Sequence, residues 1–201
     1  MSSPSLTPPG DLTARARIRN EAFSLYAIQG EERVSMRAVA AAAGVTIGLV
    51  QHHFGTKEGL RRSVDEYVVE HFVEALAGVE HTGTAAEVVA ARDGAVRTML
   101  QENPLVVRYL LRMLLEPETR GAFVLGQLVD LTVQEIRRLR EAGFASTTTP
   151  EPVQVVRTIL GQIGEHALEP MVGAVWKRVG GSDADRPRTE ITVVQPTDQM
   201  A

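Results

Sequence analysis

The stretch Ser35–Phe54, SMRAVAAAAGVTIGLVQHHF, decides the fold. Two short helices are written into it. Ser35 caps the first, which runs from Met36 to Ala43, and Gly44 ends it. Thr46 caps the second, which runs to Phe54 before Gly55 breaks it. Ala40 and Ala43 are small enough for the helices to approach closely, and Gly44 supplies a turn conformation that a side chain resists. Val39, Val45, Val50 and Phe54 fill the wedge, so one side of the second helix is held and the other is free. The free face carries Thr46, Ile47, Gly48, Gln51 and His52, and a DNA major groove is wide enough to receive such a helix. Gly48 costs roughly 1 kcal/mol of helix stability relative to Ala. Close approach to DNA explains it, and so does close packing within the protein.

Working outward, Thr13 caps a helix ending near Gln29, with Ile18, Ala22, Leu25 and Tyr26 at helical spacing and Gly30 just beyond. Thr56 caps a longer helix that reaches Gly78. Residues 13–60 therefore form a compact helix-turn-helix unit, linked onward through the helix 56–78, and residues 1–12 form a flexible Ser/Pro-rich arm. Further helices are predicted over 85–102, 105–116, 118–142 and 152–178, with Pro104, Pro117 and Pro152 near their starts. Pro170 predicts a kink or split in the last. Residues 61–179 make a second domain, and the polar stretch 180–201 a mobile tail. No alternating strand pattern interrupts this order. The fold class is all-α: an N-terminal three-helix helix-turn-helix domain plus a C-terminal helical bundle.

The net charge of −4 conceals an asymmetry. Between Thr13 and Arg62 eight basic residues face four acidic ones, while the rest of the chain is acidic. That skew points to a polyanion at one end. No stretch approaches the roughly 20 apolar residues of a membrane span, and the N-terminus lacks the basic start and apolar run of a signal peptide. The chain has no cysteine, which excludes disulfides and thiolate metal sites. A cytoplasmic protein without membrane attachment is expected. No Walker A, GxGxxG, GxSxG or HExxH pattern occurs, so neither a catalytic residue nor a cofactor is assigned and no enzyme is expected. His52 and His53 point about 100° apart on their helix and do not share a face. Glu165, His166 and Glu169 read as a polar helix face rather than a metal site.

The blocks Ile18, Ala22, Leu25, Tyr26 and Gly30, then Val39-Ala40, Ala43-Gly44-Val45 and Gly48, then His53-Phe54, Lys57-Glu58 and Leu60, follow one another without gaps. In this pattern, which covers Thr13–Val69, the chain resembles the TetR family of regulators. The resemblance implies double-stranded DNA as a partner, with His53 and Lys57 contacting phosphate. Ser35 and Thr46 are caps whose hydroxyls can also donate to phosphate, and Arg37 is a further candidate. The chain departs from the family pattern at Ile47, Gln51 and Glu31, where Lys, Tyr and an aromatic residue are frequent. Ile47 can touch a thymine methyl and Gln51 an adenine edge, although Ile47 can equally pack on its own protein. A helical ligand-binding or scaffold protein that has lost DNA binding is the competing reading.

The resemblance also implies a C-terminal bundle that dimerises and holds a small-molecule effector, with repression the family's usual mode. The homodimer is expected through the last two long helices, where Gly161, Gly164 and Gly173 permit close approach. An effector cavity is expected between helices 105–116 and 152–178, with Met113 in an apolar wall and Tyr109, Arg112, Gln162 and His166 as polar contacts. Arg112 suits an anionic group there, or else pairs with Glu116 at the rim of the core.

Overall fold

The computed structural model describes residues 14–114, 121–187 and 189–193. The Thr13 cap, the arm before it and the helix start at Pro117 lie outside these residues. Among them all regular structure is helical: α1 (Ala14–Gln29), α2 (Met36–Ala42), α3 (Ile47–Phe54), α4 (Lys57–Ala77), α5 (Ala85–Glu102), α6 (Pro104–Leu114), α7 (Ala122–Glu141) and α8 (Glu151–Arg178). Short 3-10 turns occur at Glu31–Arg33 and Asp183–Asp185. The all-α order predicted by the periodicity is the order found.

The chain forms two compact units. The first joins the chain through Val68 to Arg108–Val124, and the second joins Val69–Val107 to the chain from Leu125 onward. The sequence places the division at residue 60 and gives the whole of helix 105–116 to the second domain. The structure instead seats most of α6 in the first unit. Tyr109, Leu110 and Met113 are buried there, and the Tyr109 ring lies 6.0 Å from that of Phe23 on α1. Helical spacing identifies an apolar face but not the surface that covers it.

In the first unit α1 packs on α2 and α3, which pack on each other. Ile18, Ala22 and Tyr26 recur every four residues on α1, Val39 and Ala40 face them from α2, and Val50 and Phe54 from α3. Leu60, Val64 and Val68 add a stripe from α4. Each fully buried side chain of this kind contributes roughly 1.5–3 kcal/mol.

In the second unit α5 packs on α8. A capping box opens α5: the Thr84 hydroxyl accepts from Glu87 N–H, and the Glu87 carboxylate accepts from Thr84 N–H. Val88, Val96 and Leu100 carry its buried face, and Leu128, Ile136 and Leu139 are buried on α7. Arg92, also buried, is neutralised by Glu135 of α7. Helix α8 runs through Pro170 without a split. The tail, expected to be mobile, folds back on α8 through Val193. Trp176 Nε1–H donates to the Ser182 carbonyl at 2.8 Å, and Arg186 bonds both the Glu169 carbonyl and its carboxylate. A Cβ at Gly164 would overlap Ile191, and one at Gly173 would overlap Arg186. These two glycines therefore receive the chain's own tail, not the neighbouring helix that the spacing suggests.

Candidate functional site

The turn between α2 and α3 is built as its residues require. The Ser35 hydroxyl accepts from Ala38 N–H at 3.1 Å, and that of Thr46 from Leu49 N–H at 3.3 Å. Gly44 has φ +64°, in the left-handed region. With Val50 and Phe54 buried, the opposite face of α3 presents Ile47, Gly48, Gln51 and His52, all exposed, with Thr46 exposed at its start. Ser35 and Arg37 are exposed at the start of α2, while His53 and Lys57 are half-buried. The His53 ring stands edge-on to His52, with centroids 5.3 Å apart. The nearest atom to a Cβ placed on Gly48 is Thr46 Oγ1, at 3.9 Å. Among the described residues packing does not call for glycine there, which leaves close approach to DNA as the explanation to test.

Helix α4 is fixed tightly against the end of α3. The Thr56 hydroxyl caps it by accepting from Gly59 N–H at 3.0 Å, and a Cβ at Gly59 would overlap the Phe54 carbonyl oxygen. Gly59 thus sets where Lys57 stands, a role that sequence reasoning missed. Its signal is a glycine in the first turn of a helix, where propensity argues against one. Behind this turn lies a buried polar network. Arg61 donates to both oxygens of Glu58, at 3.0 and 2.6 Å, and to Asp65 at 2.6 Å. Tyr109 O–H donates to the other Asp65 oxygen at 2.6 Å. Burial pushes the Asp65 carboxyl up to about 6 despite these donors, and burial likewise raises the Tyr109 phenol.

Arg61 belongs to the buried network and is withdrawn from the basic surplus. Arg15 over Phe54 and Arg62 over Phe123 stay exposed, and Arg19 over Tyr67 is half-buried. Arg17, Arg33 and Arg37 are exposed. Glu31 sits in the 3-10 turn before α2. Burial raises its carboxyl, and Lys57 and Arg61 pull it back. The departure at Glu31 therefore puts a carboxyl within the field of Lys57.

The five residues expected around an effector are divided between the two units. Tyr109 is bound to Asp65 and Met113 is buried in the first unit. Arg112 donates to the carbonyls of Ala27 at 3.2 Å and Ile28 at 3.0 Å, where it completes the C-terminus of α1. That helix has no basic residue of its own in its last turn. Gln162 and His166 are in the second unit, where they do line cavities. One cavity, of about 240 Å³, lies among α4, α5, α7, α8 and the loop before α8, with Leu76, Val89, Ile136, Leu139 and Phe144 as apolar wall. A second, of about 230 Å³, has Arg97, Glu165 and His166 in its lining. Asp93, Arg157, Thr158 and Gln162 border both.

An exposed, capped helix locked behind a tight glycine turn defines the helix-turn-helix class of protein. The family described as bacterial regulatory proteins, tetR family, matches residues 18–64. The HTH-type transcriptional regulatory protein RaaS of Mycobacterium tuberculosis is 53% identical over 60 residues, which is 30% of this chain and 28% of that protein. Among solved structures, a TetR transcriptional regulator from Chloroflexus aurantiacus superposes with TM-score 0.66 at 21% identity, over 80% of this chain and 85% of its own. A transcriptional regulator from Rhodococcus sp. Rha1 does so with TM-score 0.61 at 26% identity, over 82% and 87%. The family match thus lies in the N-terminal part of the chain, and the chain spans 28% of the length of the curated relative it matches.

Proposed function

We propose that the protein is a sequence-specific, DNA-binding transcriptional regulator that acts in the cytoplasm as a homodimer on a palindromic operator. It works as a repressor, and a small-molecule effector bound in the second unit releases it. The observation that carries this reading is the face of α3, where five consecutive-turn positions from Thr46 to His52 are exposed while Val50 and Phe54 anchor the helix from behind. In support, Lys57 stands in the first turn of α4, where free N–H groups also favour an anion. Release follows if the effector binds more tightly to a conformation unsuited to the operator, because coupling equals that differential affinity.

Selection from random duplexes is the direct test. A recovered palindrome supports the reading, and failure to enrich any sequence leaves a helical ligand-binding or scaffold protein in its place. On the recovered site, Lys57→Ala should weaken binding to all sequences alike and reduce the salt slope by about one unit. Gln51→Ala should instead relax preference at one position per half-site, at a cost of roughly 1–3 kcal/mol. An unchanged salt slope takes Lys57 off phosphate, and uniform loss across operator variants makes Gln51 a positioning residue.

A further inference from the structure

The wall between the two cavities holds a carboxylate that forms no ion pair among the described residues. Asp93 of α5 borders both spaces. Its Oδ1 accepts from the Gln162 amide at 3.0 Å, a neutral partner. The other charges nearby are accounted for differently. Arg92 and Glu135 neutralise each other, and Arg138 takes the second Glu135 oxygen at 2.9 Å. Arg97 and Glu165 pair at 3.6 Å. Arg157 is exposed to solvent, whereas Asp93 is half-buried. Arg157 borders the same cavities, but water and salt screen an exposed guanidinium strongly and a sheltered carboxylate less.

We infer that the second unit binds a small cationic amphiphile, with its apolar body in the 240 Å³ cavity and its basic nitrogen on Asp93. Leu76, Val89, Ile136, Leu139 and Phe144 offer the body an aliphatic and aromatic wall. The free Asp93 oxygen accepts from the ammonium, and Gln162 holds the carboxylate in line from the far side. This assignment rests on the effector reading above and reverses the sign of ligand expected from Arg112, whose guanidinium is committed to α1.

Three probes with one skeleton test it: 4-phenylbutylamine, 4-phenylbutanol and 4-phenylbutanoate, titrated calorimetrically into the full-length protein and into D93N and R157A, without DNA. The amine should bind about tenfold more tightly than the alcohol, and the carboxylate most weakly. D93N should remove the amine's advantage over the alcohol, and R157A should leave the amine's rank unchanged. Preference for the carboxylate, equal binding of amine and alcohol, no binding of any probe, or an amine affinity indifferent to D93N overturns the inference. If D93N is poorly folded by circular dichroism, D93E, which keeps the charge, must preserve the amine's rank. Operator release is then measured separately with the amine. Binding through Asp93 without release upholds the ligand class and defeats effector-driven release, so the two ideas fail independently.

Discussion

On the function proposed above, Gly48 is the residue at which stability and recognition pull in opposite directions. Its Cβ position is open on the protein side, so Gly48→Ala should stabilise the fold by about 1 kcal/mol through helix propensity alone. The added methyl group faces outward beside Gln51 and His52, and operator affinity should fall. Urea midpoints and fluorescence anisotropy on the same samples report the two effects, and a more stable variant with undiminished affinity would show that Gly48 does not approach DNA. Asp65 gives a second prediction. Its carboxyl is raised by burial from 3.8 to about 6 in the folded chain, so the native state holds the proton more tightly than the unfolded one. Its contribution to stability is full below pH 3.8 and is lost as pH rises through 6. Glu31 shifts the same way and Glu58 the opposite way, so the parent must be compared with Asp65→Asn. The parent should lose stability relative to the variant between those limits, on the order of 3 kcal/mol, and parallel pH profiles would refute it.

At the scale of elements, caps and glycine breaks made α1 to α4 legible, because Ser35, Thr46 and Thr56 act on groups three residues away and Gly44 acts on its own backbone. The exposed face of α3 was legible for the same reason: it is the complement of Val50 and Phe54 on one short helix. What escaped depends on contacts far apart in sequence. Spacing shows that Tyr109, Leu110 and Met113 share a face, but an apolar face is equally content against α1 and α4 or against α8. Arg112 looked like a group waiting for an anion because its partners are backbone carbonyls 84 and 85 residues earlier, which no side-chain pattern records. Gly164 and Gly173 had the right signal, close approach, with the wrong visitor. The basic surplus was overcounted in the same way, since a count of charges does not say that Arg61 is buried on Asp65.

At the scale of the whole molecule, the dimer proposed above draws on α8. Val156, Leu160, Met171 and Val175 are 45–57% exposed on that helix, an apolar surface that a second copy would cover. Light scattering at micromolar concentration should give twice the chain mass, and Leu160→Glu with Val175→Glu should give the mass of one chain. A parent that scatters as a single chain at that concentration contradicts the dimer. The discontinuity of the first unit reaches further, into how the protein is made. Its helix-turn-helix head is not finished when α4 has been synthesised, because α1 still lacks the guanidinium that closes it and Asp65 still lacks the Tyr109 phenol. Both arrive with α6, and the unit closes only at Val124. At the roughly 5–20 residues per second of translation, the nascent head waits several seconds with part of its core exposed while the first stretch of the second unit, Val69–Val107, is threaded past it. A gene fragment cut after Ala77 would leave the head in that unfinished state permanently.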